Sequence, residues 1–137
     1  MTAMLQGNKT LILQPGPSRR IPPAFLEQII AQDCLWGLRH PEGGWALCTS
    51  SVHGDRDVYL FWSERRLAWR SIQQEWAEFE PVPIGLHDFM LSWLDDMVVS
   101  GTLIGLDWDP CTEGTEYDTA VFKRRLAYRL NRQKKII

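Results

Sequence analysis

The sequence predicts an α+β fold: a small antiparallel or mixed β-sheet of about four to five strands covered by about four α-helices. Three observations predict it. Short apolar runs bounded by turn-forming residues cluster in the first half of the chain, without the regular alternation that builds a parallel βαβ sheet. Two longer stretches, within residues 63–79 and 86–101, space their apolar residues at helical rather than alternating intervals. Finally, 137 residues at 45% hydrophobic and 23% charged suffice for one globular core but not for two ordinary domains.

Taken in order, "TLIL" at 10–13 is a short apolar run expected as an edge strand, and "QPGPSRRIPP" after it is irregular by its proline and glycine content. Residues 1–21 are therefore set apart as an N-terminal segment, 22–131 as one globular domain and 132–137 as a basic tail. "PPAFLEQIIAQDC" predicts a helix opening near Pro23, with Phe25, Leu26, Ile29, Ile30 and Cys34 as its apolar stripe. "LWGLRHPEGGWALCTS" predicts a β-hairpin around "PEGG", and "DVYLFW" at 57–62 a third strand.

Trp62, Trp69 and Trp76 stand seven residues apart in "FWSERRLAWRSIQQEWAEFEP". On a helix they drift by only about 20° per heptad, which places them on one face with Ala68, Ile72 and Phe79. Ser63 is the expected N-cap, Trp62 and Leu67 the expected hydrophobic staple, and Pro81 ends the helix by about residue 79. An aromatic stripe backed by polar residues is what a helix packed on a sheet requires, so the three tryptophans are expected in the core rather than as a ligand platform.

"EPVPIGL" reads as a short edge segment because of its prolines. "LHDFMLSWLDDMVVSG" is a second strong amphipathic helix, with Phe89, Met90, Trp93, Leu94, Met97 and Val98 inward and Gly101 as its stop. "TLIGLDW" is a further strand. The acidic loop "DPCTEGTEYD" leads to a final helix from about Thr119, with Val121, Phe122, Leu126 and Leu130 apolar.

The ordered set "LWGLRHPEGGWAL", "VYLFWSERRLAW", "IGLHDFMLSWLDDMVVSGTLIGLDW" and a closing helix resembles the bacterial domain-of-unknown-function family 2750, over about residues 22–131. Trp62 departs from that family's pattern: it lies between Phe61 and Ser63 instead of between prolines. The resemblance implies a small bacterial α+β domain. It supplies no activity, cofactor or catalytic residue.

Function has to be read from the residues. No apolar run approaches the roughly 20 residues of a bilayer span, and the N-terminus lacks the basic start and apolar stretch of a secretory signal. Cys34, Cys48 and Cys111 form no CxxC pair. A reducing cytoplasm is the expected setting. His40, His53 and His87 fall in no HxxxH or HExxH arrangement, so Cys48, His53 and Cys111 carry no metal-site signature. Asp107 and Asp109 match the first two ligand positions of an EF-hand loop, but Cys111 and Thr112 break the match. No Gly-rich phosphate loop is present. No cofactor or metal is expected, and no catalytic set. A minor enzyme alternative would centre on Cys48 with His53, or on the aromatic stripe.

Charge is more informative. Residues 1–122 hold eight Lys/Arg against all seventeen Asp/Glu, a balance of −9, whereas "KRRLAYRLNRQKKII" holds seven basic residues and no acid. The leading expectation is a non-enzymatic protein-binding module, concretely an immunity protein that occludes a basic toxin surface. Its contacts would be the loop and outer-face acids Asp55, Asp57, Asp95, Asp96, Asp107, Asp109, Glu113 and Glu116. The alternative is a regulatory nucleic-acid binder using Lys123, Arg124, Arg125, Arg129, Arg132, Lys134 and Lys135, with Tyr128 for stacking.

Overall fold

Pro23 at the first helical position, where its missing N–H has no partner to lose, opens helix α1 (Pro23–Gln32). The computed structural model describes residues 17–50, 53–109 and 114–136, with side chains up to 133. The predicted run at 10–13 lies outside the described residues. Helix α1 buries Phe25, Leu26 and Ile29, and stops at Asp33, a left-handed C-cap with φ 60°. The Gln32 side-chain amide donates to the backbone oxygens of Cys34 and Ser63 and ties the helix end to the sheet.

Strand β1 (Cys34–Arg39) follows at once. Strands β2 (Leu47–Thr49) and β3 (Asp57–Phe61) come next, then helix α2 (Arg65–Arg70) and a 3₁₀ turn at Gln74–Trp76. After β4 (Glu80–Gly85) come three consecutive helical segments, Leu86–Asp88, the π-helical Phe89–Trp93 and Leu94–Ser100, together α3. Gly101 ends α3 in the left-handed region at φ 75°, as its position predicts. Strands β5 (Leu103–Leu106) and β6 (Glu116–Tyr117) precede helix α4 (Thr119–Ile136). Asp118 opens α4 by accepting the Val121 N–H at 2.9 Å.

The fold is α+β. Strands β2, β3, β5 and β6 form, in that spatial order, a mixed sheet in which β3 and β5 are parallel and the outer pairs antiparallel. Strands β1 and β4 form a separate antiparallel pair. Trp36 and Trp62 exchange two backbone hydrogen bonds of 2.8 Å, which join β1 to the end of β3. Strand alternation then sorts the core onto two faces. Phe61, Ile104 and Leu106 meet α1, α3 and α4; Val58, Leu60, Trp62 and Leu103 meet Ala68 of α2. The π-helical turn sets both Phe89 and Trp93 edge-on to Phe61, with ring centroids at 4.9 and 5.6 Å.

Four expectations need correction. The predicted hairpin keeps its turn, through the Arg39–Trp45 bridge and the Ala46 N–H donating to Leu38, but β1 spends its length on β4. The cause is the proline-bearing segment 80–85, which lies against all six residues of β1 as an edge strand. Cys34 accordingly starts a strand and leaves the α1 stripe. Val98 is exposed on α3 instead of facing inward.

The fourth correction concerns the tryptophans. Helix α2 ends at Arg70, and its N-cap is Glu64, with no side-chain capping bond. Ser63 is buried, and its donors go to Asp107 across the sheet. Gln74 at φ 56° then breaks any continuation to residue 79. Trp62 is fully buried at a strand end, Trp69 is 61% exposed, and Trp76 is half-buried on the 3₁₀ turn. The three do not share a helix face.

Candidate functional site

Parallel pairing brings the ends of β3 and β5 to the same edge, with Phe61 opposite Leu106. The chain leaves β3 through Trp62, Ser63 and Glu64 into α2, and leaves β5 through Asp107, Trp108 and Asp109. These two exits are locked together. Asp107, at φ 56°, donates its N–H to the Phe61 oxygen at 2.9 Å. Its carboxylate accepts the Ser63 N–H at 2.7 Å and the Ser63 hydroxyl at 2.9 Å. The Trp62 indole N–H donates to the Trp108 oxygen at 3.0 Å. Desolvation by burial is the main cause that pushes the Asp107 carboxyl above its ordinary range, with the Glu64 charge adding to it; the Ser63 hydrogen bonds and Arg66 pull the other way.

On this base α2 displays Trp69. Arg65, Arg66 and Arg70 are exposed around it, Arg66 lies 3.0 Å from Glu64, and Arg70 lies 3.6 Å from Asp109. An aromatic side chain inside a rim of mixed charge has the make-up of a protein-binding hot spot, which favours Trp and Arg. The stripe reading hid this site. One signal for it was legible: Arg65 and Arg66 stand at i−4 and i−3 from Trp69, spacings that put them on the same helix face.

The predicted acidic residues divide among several places. Asp107 and Asp109 belong to the Trp69 edge. Asp57 begins β3 at the opposite end of the sheet, roughly 16 Å away at about 3.3 Å per residue, with the exposed Asp55 just before it. Asp95 pairs with Lys123, and the exposed Asp96 is its neighbour on α3. Glu116 is buried on β6 and accepts the Ser50 hydroxyl at 2.5 Å. Glu113 lies outside the described residues.

The basic set is likewise divided. Lys123 meets Asp95, and Arg129 lies 3.2 Å from Glu27. Arg132 donates to the Tyr128 hydroxyl at 3.0 Å and lies over its ring. Arg124 and Arg125 are exposed. The side chains of Lys134 and Lys135 lie outside the described residues.

His53 donates its backbone N–H to the Ser50 hydroxyl oxygen at 2.7 Å, while its Nε2 is buried with no hydrogen-bond partner among the described residues. Cys48 is half-buried on β2, opposite Val58. Cys111 is outside the described residues. Among the described residues, no three His, Cys, Asp or Glu side chains are grouped to hold a metal ion, and no helix is long and apolar enough to cross a membrane.

A family model described as "Protein of unknown function (DUF2750)" matches residues 23–126, and the chain belongs to that family. No curated protein and no solved structure matches it.

Proposed function

We propose that this DUF2750 member is a non-enzymatic protein-binding module, most concretely a bacterial, cytoplasmic immunity protein that neutralises a toxin by covering a basic surface. The observation that carries the reading is the exposure of Trp69 at the locked end of the sheet. A tryptophan offers a large apolar area, and burying it against a partner is worth about 1.5–3 kcal/mol by area alone. Asp107 and Asp109 bring acids to the same edge, but Ser63 holds the first and Arg70 lies 3.6 Å from the second, so the apolar area of Trp69 carries more of the contact than free charge does. Half of the predicted acids are engaged inside the molecule, so this version rests on fewer charges than the sequence alone suggests.

The test is affinity capture from the native lysate at low and moderate salt, with wild-type protein beside Trp69→Ser and Asp109→Lys variants. A stoichiometric protein partner lost with Trp69→Ser supports the reading, and its activity can then be assayed for inhibition. A partner held equally by both variants removes this edge from the interface.

The second reading, nucleic-acid binding through the final helix, is favoured by Arg124 and Arg125, which are exposed side by side on α4. It predicts recovered nucleic acid whose amount falls steeply with salt and is lost with an Arg124→Gln/Arg125→Gln variant.

A further inference from the structure

Residues of α1 and α4 line an open cleft of about 480 Å³. That volume lies within the roughly 300–1,000 Å³ of small-molecule sites. Its walls differ in chemistry. From α1 come the apolar flank of Ile30 and the carboxylate of Glu27; from α4 come the Tyr128 ring, the guanidinium groups of Arg129 and Arg132, and the Gln133 amide. Arg129 and Arg132 are three residues apart and therefore neighbours on the helix surface.

The charges in this cleft are only loosely held. The Arg129–Glu27 pair spans 3.2 Å, with the Glu27 side chain 68% exposed, and exposed pairs contribute about 0–1 kcal/mol. Arg132 has only the neutral Tyr128 as its hydrogen-bond partner among the described residues, with its guanidinium carbon 5.7 Å from the ring centroid. A planar cation resting on an aromatic ring, with a second guanidinium one turn away, is ready to form bidentate hydrogen bonds to phosphate oxygens. Tyr128 is 59% exposed, so it retains aromatic surface for stacking. The exposed Glu27 carboxylate is an acceptor for hydroxyl or amino donors.

The geometry points to a binding site for a nucleoside monophosphate. Its phosphate lies between Arg129 and Arg132, its base stacks on Tyr128 against the apolar flank of Ile30, and Glu27 and Gln133 receive its sugar or base polar groups. This site lies on α1 and α4, away from α2, and is independent of the protein-binding reading at Trp69.

Isothermal titration of the full chain with AMP, GMP, CMP and UMP tests it, with inorganic phosphate and adenosine as controls. At least one nucleotide is expected to bind at least tenfold more tightly than either control. Arg132→Gln is expected to weaken that nucleotide at least tenfold, and Tyr128→Leu at least threefold. Thermal melting of each variant distinguishes lost binding from lost fold, and Arg129→Lys, which keeps the charge but not the fork, is expected to bind at an intermediate level. No heat with any nucleotide at millimolar concentration overturns the proposal. So does phosphate binding as tightly as every nucleotide, or nucleotide binding unaffected by Arg132→Gln in a folded variant.

Discussion

Ser63 gives both its backbone N–H and its hydroxyl to the carboxylate of Asp107, at 2.7 and 2.9 Å, across 44 residues of sequence. This contact fixes the start of α2 relative to the end of β5, and so sets where Trp69 is displayed. Asp107 also holds a left-handed backbone, which Asn and Asp tolerate better than other side chains.

Asp107→Asn is therefore expected to fold normally. Its amide oxygen still accepts the Ser63 N–H, and its NH₂ can donate to the Ser63 hydroxyl oxygen. Burial raises the Asp107 carboxyl above its ordinary value of 3.8, so the folded state binds this proton more readily than the unfolded chain. The stabilisation from that proton is complete below the unfolded value and is lost as pH rises through the folded one. Urea unfolding from pH 3.5 to 7 should show Asp107→Asn gaining relative to wild type as pH rises. Asp107→Ala loses both hydrogen bonds to the carboxylate and should cost about 1.5–3 kcal/mol. A constant difference between the Asn variant and wild type across that range would refute the charge argument.

Trp62 and Trp69 should differ sharply in what their loss does. Trp62 is fully buried among Leu38, Val58, Leu60 and Ala68, and Trp62→Ala should destabilise by about 3–5 kcal/mol. Trp69→Ser should stay within about 0.5 kcal/mol of wild type in the same denaturation assay, because an exposed side chain leaves no cavity. A large loss for Trp69→Ser would show that the residue is a packing element and would undercut its role as a binding anchor.

That contrast marks what local pattern reveals in this chain. Helices α1 and α3 were legible because Pro23, Gly101 and their apolar spacing act within a few residues. Strands β3 and β5 were legible from dense apolar runs. Helix α2 was legible only in part: its cap falls one residue later than expected because Ser63 gives its donors to Asp107, 44 residues downstream, and it stops at Arg70 because Gln74 breaks it at φ 56°. The partner of β1 was hidden for a related reason: a nearby turn proposes Trp45 and Ala46, while residues 80–85 supply the longer ladder. At the surface, a count of seventeen acids carried no information about pairing, and Asp95–Lys123 joins two groups assigned to opposite partners.

Gly105 sets a close approach that no side chain can share. A Cβ there would stand 2.7 Å from the Trp108 indole nitrogen and 2.7 Å from Leu60 Cδ2. Trp108 is held in place by its own N–H donating to the Thr115 oxygen at 3.1 Å. Gly105→Ala should displace the indole, break that bond and cost about 1–3 kcal/mol as an overpacking change. Near-UV circular dichroism should change together with the urea midpoint. An unchanged midpoint would mean that Trp108 has room to move aside at no cost.

Cys34 offers a probe of the junction between α1 and β1. Its thiol is pushed above the ordinary value of 9.0, first by burial and then by the neighbouring Asp33 carboxylate. The nucleophile is the thiolate, so alkylation of Cys34 should be slow near neutral pH and still be accelerating above pH 9. Asp33→Asn removes the charge contribution while keeping a residue suited to the left-handed C-cap. It should shift the Cys34 rate profile to lower pH without changing the unfolding midpoint, and burial should keep the profile above that of a solvated thiol. Peptide-resolved mass spectrometry after timed iodoacetamide treatment separates Cys34 from Cys48 and Cys111. A wild-type profile at or below the ordinary thiol value would contradict the burial of this junction, and an unshifted profile in Asp33→Asn would remove Asp33 as a cause.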